Sequence, residues 1–309
     1  MKQVIQYQKT VEMSVAELPE PMLKAGGILV RTAYSLISAG TEKSSVATAQ
    51  ASMVGKARSR PDLVKQVLDN VKREGLLATY EKVQNRLDNY KELGYSTAGV
   101  VIESSTDRFK PGDRVACAGV GYASHAEVNF VPQNLAVKIP DDVLLEEAAF
   151  ATMGAIALQG VRQAEVRLGE NVVVIGLGLL GLLTVQLLKA NGCRVFGLDV
   201  STSNFALAEQ FGCDQCAVSD ADALPAVESF SRGHGADAVV ITAGTTSNQP
   251  LAMALRLARK KAKVVVVGAV GMNVPRSPFF EKELDLRISC SYGPGRYDAD
   301  YEEKGIDYP

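Results

Sequence analysis

The chain has no tryptophan, only two histidines, and five cysteines scattered over its length. Cysteines at 117, 193, 213, 216 and 290 form no disulfide framework. Charge of one sign is also missing: the formal net charge is −2, which gives no electrostatic case for nucleic acid as the main partner. No apolar run is long enough to cross a membrane, since even residues 172–188 are interrupted by glycines. The N-terminal MKQVIQYQKT lacks the apolar core of a signal peptide. A cytoplasmic protein is therefore the default expectation, with no membrane or nucleic-acid partner. What remains is ordinary for a globular protein: 309 residues, 47% hydrophobic and 22% charged, enough for two domains with sizeable cores.

The strongest signal runs from residue 172 to 199. A β-branched run, Val172-Val173-Val174-Ile175, ends at Gly176-x-Gly178-x-x-Gly181. An apolar helix pattern continues to Lys189, Gly192 stops it, and a second strand over 194–198 ends in Asp199. Gly176 permits a tight turn, Gly178 lets the backbone approach a pyrophosphate, and Gly181 lets helix and strand pack closely. The helix N-terminus offers unpaired N–H groups and partial positive charge to phosphate, with Leu179 and Leu180 in its first turn. Asp199 stands where a carboxylate accepts hydrogen bonds from ribose hydroxyls and repels a 2′-phosphate, so NAD is the expected cofactor.

Two architectures follow in series. Residues 1–145 read as a β-rich domain, with strands near 27–33, 98–104, 114–118 and 126–130 and turns at Lys110-Pro111-Gly112-Asp113 and Val131-Pro132. Residues 146–309 read as a doubly wound α/β domain: a helix over 146–164, the β–α–β unit, a helix over 204–211, and buried parallel strands at 238–241 and 264–267. An insert at about 43–93 divides the first domain. Leu63, Val64, Val67, Leu68 and Val71 follow Pro61 at helical spacing, and Leu76, Leu77, Tyr80, Val83 and Leu87 suggest a second helix. Lys65, Lys72, Arg73, Lys82 and Arg86 on the outer faces suit a solvated helical surface, with a lid or subunit contact as the alternative.

The order of motifs resembles the medium-chain dehydrogenase/reductase superfamily. Lys110-Pro111-Gly112-Asp113-Arg114-Val115 is similar to its turn in the β-rich domain, and His125-Ala126-Glu127-Val128 with Ile139-Pro140-Asp141 to the exit from it. Glu146-Glu147-Ala148-Ala149, Gly154-Ala155-Ile156-Ala157-Leu158, Gly235-Ala236-Asp237-Ala238-Val239 and Gly268-Ala269-Val270-Gly271 are similar to its later elements. The resemblance implies a GroES-like catalytic domain followed by a Rossmann domain. It also implies cofactor contacts from Ala243 and Gly244, from Gly268, Ala269 and Val270 along the nicotinamide, and from Thr152 and Met153 on the opposite side. Ser38-Ala39-Gly40-Thr41-Glu42, the insert, and the stretch from Ser289 to Asp298 are similar to the dehydrogenase half of bacterial two-part oxidoreductases. In those proteins a Gfo/Idh/MocA-type module follows as a fused partner domain. The superfamily continues past a point equivalent to Pro309 and returns a segment to the β-rich domain, so that segment is expected to be missing here. Residues 287–291 resemble the sheet edge through which family members form homodimers.

The resemblance also says where zinc should be. Zinc-dependent members use a Cys, the His of a Gly-His-Glu motif and one further residue. Here the Cys position is Ser38 and the motif reads Gly94-Tyr95-Ser96. Neither His125 nor His234 falls at a ligand position, and Cys117 stands alone where the structural-zinc loop would hold four cysteines. No metal is expected. Without one, the substrate oxygen needs hydrogen-bond donors and a proton relay, for which Ser38, Thr41, Glu42 and Tyr95 are the candidates, with Ser96 and Lys43 beside them. His125 sits in a strand-edge motif and reads as packing. Cys213-x-x-Cys216 has redox or metal spacing but no second pair, and reads as two small buried fillers where a helix gives way to a strand. The expectation is an NAD-dependent dehydrogenase acting without zinc on a small alcohol or carbonyl, with a sugar-derived substrate suggested by the two-part resemblance alone. A quinone or enone reductase, and a cofactor-binding module without chemistry of its own, are the alternatives.

Overall fold

A computed structural model describes residues 1–7, 10, 12–38, 40, 89–220 and 222–307. The expected insert helices, with Thr41, Glu42 and Lys43, lie outside them. The chain divides into two compact units, Met1–Ala151 with Ala299–Asp307, and Thr152–Asp298.

The first unit is built on two antiparallel sheets. One has the order β2-β1-β4, from β1 (Lys2–Tyr7), β2 (Met13–Glu17) and β4 (Tyr90–Glu92). The other has the order β7-β3-β5-β6-β8, from β3 (Gly27–Ser35), β5 (Ser96–Ser104), β6 (Arg114–Ala118), β7 (Val128–Pro132) and β8 (Ala136–Lys138). Alternation along β3 and β5 turns Ile28, Val30 and Val101 into the core, each at most 1% exposed. The helix expected over 146–164 is two helices, α1 (Leu145–Ala148) and α2 (Ala151–Ala164). At the break the Ser96 hydroxyl donates to Ala149 O at 2.6 Å. Ala148 and Ala149 pack with Ala98, Ala116 and Ile139, so this stretch belongs to the β-rich unit and the division falls after Ala151. Residues 299–307, expected in the second domain, also belong to the first unit; Asn134 Nδ2 donates to Tyr301 O at 3.0 Å.

The second unit is a six-stranded, all-parallel sheet of order β11-β10-β9-β12-β13-β14. Its strands are β9 (Asn171–Ile175), β10 (Arg194–Asp199), β11 (Gln215–Val218), β12 (Ala236–Ile241), β13 (Ala258–Val266) and β14 (Asp285–Ile288). Helices α3 (Leu179–Ala190), α4 (Phe205–Gln210), α5 (Ala223–Phe230) and α6 (Gln249–Leu257) supply the crossovers. Buried clusters occupy both faces of the sheet: Val173, Phe196, Val239 and Leu255 in one, Val172, Val174, Leu188 and Val240 in the other. Burial on both faces is why these strands are continuous apolar runs. The chain starts at β9, moves outward through β10 and β11, then returns to the other side at β12. That reversal is the switch point at which open α/β sheets bind ligands.

Candidate functional site

Because all six strands are parallel, their carboxyl ends share one edge of the sheet. The glycine loop follows β9 there, Asp199 ends β10, Thr242-Ala243-Gly244 follow β12, and Gly268-Ala269-Val270 come just after β13. These segments interlock. Gly176 has φ +98°, and a Cβ on it would lie 2.7 Å from Ala243 N. A Cβ on Gly268 would lie 2.2 Å from Ala243 O, and one on Gly181 would lie 1.9 Å from Gly176 O. The Thr242 hydroxyl donates to Gly176 O at 2.6 Å. No side chain fits inside this knot.

Gly178 differs. It caps α3 with no side-chain hydrogen bond to the helix, it is exposed, and a Cβ there meets nothing within 4 Å. The first-turn N–H groups of α3, which lack intrahelical partners, therefore face an open seat with the positive end of the helix dipole behind it. The loop is held from both sides. Leu177 N donates to Asp199 Oδ2 at 2.6 Å, and Asn204 Nδ2 donates to Leu177 O at 2.9 Å. The other Asp199 oxygen accepts from Ser201 N at 3.1 Å. Each carboxylate oxygen keeps a further lone pair for a ligand hydroxyl.

Leu179 and Leu180 are half-buried, as are Ala243, Gly268 and Val270, while Gly244 and Ala269 are exposed. Thr152 and Met153 are buried in α2. Leu177, Asn204, Ser201 and Thr242, which shape the loop, were missed in the sequence. Asn204 and Ser201 carry a local signal as helix-start residues, whereas Leu177 and Thr242 carry none.

In the β-rich unit, Ser38 and Tyr95 leave the same end of neighbouring strands. Ser35 pairs with Thr97, and Leu36 N donates to Ser96 O at 2.9 Å. Ser38 is buried and Tyr95 half-buried. The Ser96 hydroxyl donates to Ala149 O and keeps its oxygen lone pairs as acceptors. Gly94 has φ +94° and sits against His125, whose N and Nδ1 would lie 2.8 and 2.9 Å from a Cβ there. His125 Nδ1 lies 2.9 Å from Ser35 Oγ.

A zinc ion does not suit the described donors at the positions where the superfamily binds it. They are hydroxyls and a phenol, poor replacements for thiolate and imidazole. Burial pushes the Cys117 thiol up to about 12. Among the described residues, no group of three or more His, Cys, Asp or Glu side chains could hold a metal ion.

Residues 180–304 match the family model described as zinc-binding dehydrogenase. The chain is 27% identical over 211 residues to the uncharacterized zinc-type alcohol dehydrogenase-like protein YdjJ of Escherichia coli K12, covering 58% of this chain and 60% of that protein. It is 26% identical over 250 residues to sorbitol dehydrogenase of Bacillus subtilis, covering 70% of this chain and 69% of that enzyme. The solved galactitol-1-phosphate dehydrogenase of E. coli superposes with a TM-score of 0.70 at 21% identity, covering 98% of this chain and 87% of that one. The chain has the fold of the medium-chain dehydrogenases/reductases. A GroES-like unit and a Rossmann unit are the two halves of that fold. The chain spans less than two thirds of the length of YdjJ. No described helix is long and apolar enough to cross a membrane.

Proposed function

We propose that this chain is an NAD(H)-dependent oxidoreductase acting on a small alcohol or its carbonyl counterpart, without catalytic zinc. The observation that carries the proposal is the open seat at Gly178 over the uncapped start of α3, with the Asp199 carboxylate at the end of the next strand. The seat suits a pyrophosphate, and the spare lone pairs of Asp199 suit the adenosine ribose hydroxyls. A 2′-phosphate would meet the carboxylate instead, which favours NAD over NADP. When bound, the nicotinamide supplies a hydride acceptor or donor. Gly268, Ala269, Val270, Thr152 and Met153 are assigned to its ring, and Ala243 and Gly244 to the adjoining ribose.

The roles of polarising the substrate oxygen and moving its proton fall to Ser38, Thr41, Glu42 and Tyr95, with Tyr95 as hydroxyl donor. Polyols are the favoured substrate class, supported by the likeness to a protein named sorbitol dehydrogenase. Homodimer formation is proposed through β14, the edge strand of the six-stranded sheet, where Ile288 is exposed.

The test is fluorescence titration of the purified protein with NADH and NADPH, with metal analysis on the same sample. NADH binding at least tenfold tighter than NADPH, from zinc-free protein, is the expected result and justifies a screen of polyols and their ketones. Equal affinities would remove the role given to Asp199. Tight NADH binding with no turnover of any polyol would favour a cofactor-binding module. Binding of neither would end the oxidoreductase reading.

A further inference from the structure

Cys213 and Cys216 lie away from the glycine loop and have no part in the proposed reaction. Cys213 ends the turn after α4, where its N–H donates to Ala208 O at 2.9 Å. Its thiol is buried, whereas Cys216, on the edge strand β11, is half-buried. The two sulfurs are 3.6 Å apart. Gly197 lies beside them. It pairs in register with Cys216 on the neighbouring strand, and a Cβ on it would lie 3.1 Å from Cys213 Sγ. In-register residues of adjacent strands point to the same face. A side chain at 197 would therefore crowd the space where Cys213 sits beside Cys216; glycine leaves it free for sulfur.

We propose that Cys213 and Cys216 form an oxidisable dithiol, which a peroxide converts to an intramolecular disulfide. Closing the bond requires the sulfurs to approach by about 1.5 Å, since a disulfide is about 2.05 Å long. Cys216 Sγ donates to Cys213 Sγ and Cys213 Sγ to Gln215 O at 3.1 Å; the pairing of the two thiols lowers the pKa of Cys216, while the same pairing and burial raise that of Cys213. Cys216, the more exposed, is therefore the attacking sulfur and Cys213 the resolving one. In the first step the Cys216 thiolate attacks a peroxide oxygen. An S–O bond forms, the O–O bond breaks, and the departing hydroxide takes up a proton to become water. In the second, Cys213 attacks the Cys216 sulfenic sulfur and loses its thiol proton. The S–S bond forms, the S–O bond breaks, and the leaving hydroxide becomes a second water. Two thiols give up two electrons and two protons, and one peroxide is reduced to two waters.

The experiment treats the full chain with one equivalent of hydrogen peroxide, then counts thiols after denaturation and maps the peptides. Free thiols should fall from five to three in a monomeric product lighter by two hydrogens, with 213 and 216 joined and both recovered by dithiothreitol. Cys216→Ser should abolish this product, and Cys213→Ser should leave a sulfenic acid at 216 that dimedone traps. The wild-type map decides the matter even if either variant folds poorly. Thiol loss confined to the exposed Cys290, or a stable sulfenic acid at Cys216 beside a free Cys213, overturns the proposal.

Discussion

Gly178 and Gly181 stand three residues apart and are kept as glycine for opposite reasons. A Cβ at Gly181 would sit 1.9 Å from Gly176 O, so alanine must push the loop away from α3. Overpacking of this kind costs about 1–3 kcal/mol, and Gly181→Ala should lower the urea midpoint accordingly. A Cβ at Gly178 meets open space, so Gly178→Ala should unfold at nearly the wild-type urea concentration yet bind NADH at least tenfold more weakly. An alanine variant at 178 that binds normally would move the pyrophosphate elsewhere. The glycine spacing was legible in the sequence because the three positions fall within six residues of one another. Leu177 and Thr242 were not, because any residue supplies a backbone N–H and a strand-end threonine has many uses. The partner of Ser96 was illegible for the same reason, since Ala149 O lies 53 positions away.

Among the elements, what was legible was whatever burial alone dictates. The runs that became β9 and β12 were readable because both faces are covered by apolar clusters. β13 was readable only at its apolar end. Its first half carries Arg259, Lys260 and Lys261, with Lys261 at φ +63°, and so has no apolar signature. Strand β2 went unresolved because it is mostly exposed and has no core face to betray it. The join between α5 and β12 shows how an element end is secured without such signals. The buried Ser231 hydroxyl donates to Val227 O at 2.8 Å and accepts from Gly235 N at 2.9 Å. Ser231→Ala would strand the Gly235 N–H at a cost of about 1–3 kcal/mol, readable as a lowered urea midpoint. An unchanged midpoint would mean that water replaces the hydroxyl. The exposed Lys304–Asp300 pair, by contrast, should be replaceable with little effect.

For the whole molecule, the proposed ligand belongs to one unit. At a hundredfold excess over its Kd, a ligand that binds only the folded form stabilises it by about 2.7 kcal/mol. Hydrogen exchange should therefore slow in β9, β10 and α3 on adding NADH, and slow less in β3 and β5. Equal protection of both units, or none, would contradict the assignment of the glycine loop as the seat. The order of the two architectures was legible from the change in hydrophobic periodicity near residue 146, but the membership of residues 299–307 was not, since so short a helix has no period to read. That membership has a consequence in time. The bond from Asn134 to Tyr301 spans 167 positions, which a ribosome adding 5–20 residues per second covers in roughly ten to thirty seconds. Throughout that interval the nascent β-rich unit lacks its last segment, while the whole six-stranded sheet is synthesised between its two parts.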